Sequence, residues 1–75
     1  MLALLDERIA QQKKKLLATA QRIVPGVIED DLLQPNDFPA LELHPYFRYE
    51  EGVLAGLYEA RSALVVQALG REGEK

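Results

Sequence analysis

Between residues 45 and 69 the apolar side chains fall on two stripes of a helix. One stripe carries Tyr49, Val53, Gly56, Ala60, Leu64 and Ala68. The other carries Phe47, Leu54, Tyr58, Val65 and Leu69, with Leu57 between the two. A helix apolar over so much of its circumference is buried on more than one side. A single neighbouring helix covers one stripe only. Whatever fold this chain adopts must supply a second cover, from its own connection or from another chain.

The same chain supplies one neighbouring helix. In residues 2–23, Leu2, Leu5, Ile9, Gln12, Leu16, Thr19 and Ile23 step by three and four and share one face. Ala10, Leu17, Ala20 and Val24 widen that face, and Ala, Leu, Lys, Gln and Arg, all good helix formers, dominate the segment. Asp6 and Glu7 come early, and Lys13–Lys15 and Arg22 come late, the order that the helix dipole favours. Pro25-Gly26 then stops the helix. Pro45 suits the first turn of the second helix, and Glu50 and Glu51 put acid in an early turn of it. That helix is expected to end at Gly70, leaving a polar tail over 70–75.

The connection, residues 24–44, is long for so small a domain. Val27, Ile28, Leu32, Leu33, Phe38, Leu41 and Leu43 are too apolar to sit in water, so it is expected to be ordered and to pack back over one end of the hairpin. Glu29–Leu33 suits a single helical turn before Pro35, and Phe38 is the expected anchor. The reading is therefore one all-α domain over 1–75, an antiparallel two-helix hairpin with a long ordered connection.

Size argues that the hairpin does not stand alone. A chain of 75 residues buries only about 60% of the surface its unfolded form exposes, so its core is marginal without further support. It contains no cysteine and one histidine, which removes disulfides and thiolate metal sites. Association remains. A two-fold dimer that buries the second stripe in a four-helix bundle is the simplest form.

Charge divides along the chain. Residues 1–22 are basic and residues 29–51 acidic, within a net charge of −3. An antiparallel hairpin sets the basic end of the first helix beside the acidic start of the second, so the asymmetry needs no partner. Lys13, Lys14 and Lys15 point across more than half of a helix and form no strip for a nucleic-acid backbone. No membrane span is expected, since no apolar run approaches about 20 residues. Met1–Leu5 breaks at Asp6-Glu7-Arg8 without a basic lead, so no signal peptide is expected, and the cytoplasm is the default location.

No residue set assembles into a catalytic, cofactor or metal site. Glu42 and His44 with Asp30, Asp31 and Asp37 follow no ligand spacing. Ser62 has no base placed for it. Two features remain. The aromatic group Phe38, Tyr46, Phe47 and Tyr49 is either a cap that locks the connection onto the bundle or an interaction surface, because tyrosine joins apolar area to a polar tip. Gly52, Gly56 and Ala60 form a small-residue stripe suited to close helix packing, which would offset the roughly 0.5–1 kcal/mol each glycine costs in a helix. The function expected is a structural or protein-interaction module that forms a homo-oligomeric bundle. The alternative is a small helical enzyme or ligand-binding bundle with a site between connection and helices.

Overall fold

A computed structural model describes the backbone of residues 1–73 and the side chains of residues 1–69 other than Asn36. The secondary structure of these residues is entirely helical. Helix α1 spans Leu2–Ile23, the single turn α2 spans Pro39–Glu42, and α3 spans Pro45–Gly73. Two 3₁₀ turns, Glu29–Leu33 and Pro35–Asp37, fill the connection. Gln12 and Lys15 of α1 meet Glu50 near the start of α3, while Asp6 meets Arg61 further along it. The two long helices therefore run antiparallel, as a hairpin.

The face of α1 that packs on α3 is the one its spacing selects: Ile9, Leu16, Thr19 and Ala20 are buried, with Leu5, Gln12 and Ile23 half-buried. The helix closes when the Val24 N–H donates to the Ala20 carbonyl at 2.7 Å. Gly26 then takes φ +96°, a left-handed conformation in which a Cβ is strained. The chain turns back there. The Gln21 amide donates to the Val27 carbonyl at 3.1 Å, and Val27 drops into the core.

The connection is ordered by its own contacts. Val27 and Leu41 join Leu16, Ala20 and Phe47 in one buried cluster, with Ile23, Val24, Leu32, Phe38 and Leu54 packed around it. The expected anchor was Phe38, but Leu41 and Val27 hold that role and Phe38 is only half-buried. Phe38 precedes Pro39 and is held outside the helical region, at φ −126° and ψ 89°. That leaves its ring at the rim, while Leu41 enters the core from within the following turn. Ile28, Leu33 and Leu43 remain exposed, so the connection covers one end of the hairpin only.

Helix α3 runs through Gly70 to Gly73 rather than ending at Gly70. One glycine costs about 0.5–1 kcal/mol relative to alanine, too little to stop a ladder that gains a hydrogen bond with each residue added. Residues 74 and 75, the remainder of the expected tail, lie outside the described residues. At 29 residues against 22, α3 is the longer helix by about 10 Å. The molecule measures 51 × 21 × 19 Å.

Candidate interaction surface

The side of α3 that meets α1 carries Phe47, Glu50, Leu54, Leu57, Arg61 and Val65, all buried or half-buried, at steps of three and four. This phase separates the aromatic group. Phe47 is wholly buried and belongs to the core, which corrects its reading as an interaction residue. Tyr46 and Tyr49 lie off that phase and are exposed, Tyr49 at 65%. Of the four aromatic candidates, the two tyrosines are open to solvent and the two phenylalanines serve packing.

Glu50 is the residue that sequence reasoning misplaced. It is 2% exposed and faces α1 instead of serving the helix dipole from solvent. The Gln12 amide donates to its Oε1 at 2.6 Å and to its main-chain carbonyl at 3.0 Å. Lys15 Nζ lies 3.8 Å from its Oε2. No buried side-chain polar atom lacks a partner among the described residues. The signal was present: Glu50 lies three after Phe47 and four before Leu54, and Gln12 lies on the inward stripe of α1. Two polar residues at facing core positions fix the register of two helices, because a shift leaves both unpaired. Asp6 and Arg61 make a second, exposed link at 2.6 Å, and Asp6 raises the Arg61 pKa through that hydrogen bond and its charge.

Asp31 and His44 have local roles. The Asp31 carboxylate accepts the Ile28 N–H at 2.9 Å, and His44 Nδ1 accepts the Phe47 N–H at 3.4 Å at the start of α3. No group of three metal-ligating side chains forms among the described residues.

The small-residue stripe faces outward. A Cβ built on Gly52 or Gly56 meets no atom within 4 Å, and Ala60 is exposed. The close helix packing expected at Gly52, Gly56 and Ala60 is therefore not made within the chain, because α1 occupies the other side of α3. Around this face Val53 and Leu64 are also exposed. Two open grooves flank the seam between the long helices. One, of about 410 Å³, is lined by Lys13, Glu29, Asp30, Leu32, Leu54 and Tyr58 on the side of the connection. The other, of about 290 Å³, is lined by Arg8, Gln12, Lys15, Val53 and Leu57.

No family model, curated protein or solved structure matches this chain. Among the described residues, no helix is long and apolar enough to cross a membrane.

Proposed function

We propose that this chain is a homo-oligomeric interaction module of the cytoplasm, in which two hairpins pair through the outward face of α3 into a four-helix bundle. The observation that carries this reading is the exposure of Tyr49, Val53 and Leu64 around the open position at Gly56. Area supports it. The chain exposes 5470 Å², against about 4600 Å² for a compact monomer of its 8.4 kDa mass. The excess, roughly 900 Å², is close to what one partner contributes to a standard interface. The molecule is also elongated, at 51 × 21 × 19 Å, and side-by-side pairing would reduce the area it exposes. Sedimentation equilibrium at micromolar concentration is expected to give about twice the chain mass. A folded monomer throughout that range overturns the reading.

A second reading, a ligand-binding bundle, draws on the 410 Å³ groove between connection and helices, where Leu32, Leu54 and Tyr58 stand beside Lys13, Glu29 and Asp30. The buried polar cluster does not favour it, since Glu50 and Gln12 satisfy each other. Spectral shifts of Tyr58 and Leu54 on titration with small amphipathic compounds would support this reading, and their absence would remove it.

A further inference from the structure

We infer that the two copies pair α3 against α3, antiparallel, about a two-fold axis midway between Gly56 and Ala60. This rests on the dimer reading above and adds the geometry of the interface. On the outward side of α3, Tyr49, Val53, Gly56, Ala60, Ala63 and Gln67 step by four, three, four, three and four. That 3.5-residue period is the seam along which two helices pack over their length. All six are exposed, and none is charged. The charged residues Arg48, Glu50, Glu51, Glu59 and Arg61 all fall off the stripe.

The stripe is also a palindrome about position 58. In an antiparallel pair with its axis there, Gly56 faces Ala60, Val53 faces Ala63 and Tyr49 faces Gln67. Each contact is made twice, as two-fold symmetry requires. The larger side chain of one copy meets the smaller one of the other, and the tyrosine hydroxyl lies beside an amide. The small residues stand at the centre, where the backbones must come closest. A parallel pair would instead set tyrosine on tyrosine and glycine on glycine, crowding one end and leaving a void at Gly56. Position 58 is also close to the midpoint of α3, which spans Pro45–Gly73. The partner helix therefore runs alongside the stretch of α3 that outruns α1. An interface of standard size takes about 800 Å² from each copy, close to the roughly 900 Å² by which the chain exceeds a compact monomer.

The chain contains no cysteine, so introduced thiols report without background. Tyr49→Cys and Gln67→Cys chains, mixed in equal amounts and oxidised mildly, are expected to form the 49–67 disulfide well above the statistical half. Homodisulfides at 49–49 and 67–67 would mean a parallel pair. No cross-link from a dimer still seen in sedimentation would mean another face. Either result overturns the geometry and leaves the dimer reading standing, whereas a monomer in sedimentation removes both. Gly56→Leu provides a second measurement that does not depend on oxidation. Its side chain starts in open space within one chain, so helicity is expected to be kept while the dimer weakens at least 100-fold. Unchanged dimer affinity in that variant also overturns the geometry.

Discussion

The two ends of the hairpin use the same pair of helices and bury them very differently. At the closed end the connection adds a third layer, and Leu16, Ala20, Val27, Leu41 and Phe47 are sealed between α1, α2 and α3. At the open end two helices meet with nothing above them among the described residues. There Leu4, Val66 and Leu69 are exposed, the last two at 65%. Apolar residues are available at both ends, so composition does not explain the contrast. The number of layers does. Two helices bury the strip along which they touch, and only a third element turns that strip into a core.

That contrast is broken most directly by deleting one large side chain at each end. Phe47→Ala removes a ring with no exposed surface and is expected to cost about 3–5 kcal/mol, transfer and cavity together. Leu64→Ala, on the exposed face of α3, is expected to cost less than about 1 kcal/mol in the monomer. Urea melts at nanomolar concentration, where association is suppressed, compare the two. Similar losses would mean that the open end is as well packed as the closed one.

Much of this arrangement was legible in the residues. The inward stripe of α1, the stop at Pro25-Gly26, the turn over Glu29–Leu33 and the first turn at Pro45 follow from local chemistry, and all are found. The two stripes of α3 were also visible, but their spacing alone cannot say which one α1 takes. That choice depends on how the connection returns, and it decides whether Phe47 is part of the cap or of an interaction surface; Phe47 is buried. Phe38 was judged by its size, whereas the restriction imposed by Pro39 sets its direction. Glu50 was read by its distance from the start of the helix. Its phase relative to Phe47 and Leu54 carried the better information, because a buried carboxylate is intelligible once Gln12 faces it.

The polar link between the helices gives a sharper and smaller test at the boundary of the two regions. Gln12→Ala removes the amide that donates to buried Glu50, leaving Lys15 at 3.8 Å as the only cation beside it among the described residues. A buried acceptor deprived of its donor costs about 1–3 kcal/mol. Lys15→Ala removes a cation whose own side chain is largely exposed, and is expected to cost no more than about 1 kcal/mol. Equal effects of the two substitutions would show that charge, and not the hydrogen bond, secures the register.

The smallest expected effect has the opposite sign. Gly52 lies inside α3, exposed, and a Cβ at that position meets no atom within 4 Å. It is not one of the six residues of the outward seam, so a methyl group there neither enters the core nor meets the axis at Gly56 and Ala60. What remains is the backbone. Glycine in a helix interior gives up more conformational freedom than alanine, and replacing it recovers about 0.5–1 kcal/mol. For a domain of this size that corresponds to a rise in Tm of roughly 2–8 °C. Gly52→Ala is therefore expected to raise Tm without changing the sedimentation mass. At the closed end the same logic fails, since Ala20 has no exposed surface and any added group there meets packed atoms. A fall in Tm for Gly52→Ala would place a neighbour against this flank of α3. The open half would then be covered more widely than one seam of six residues allows.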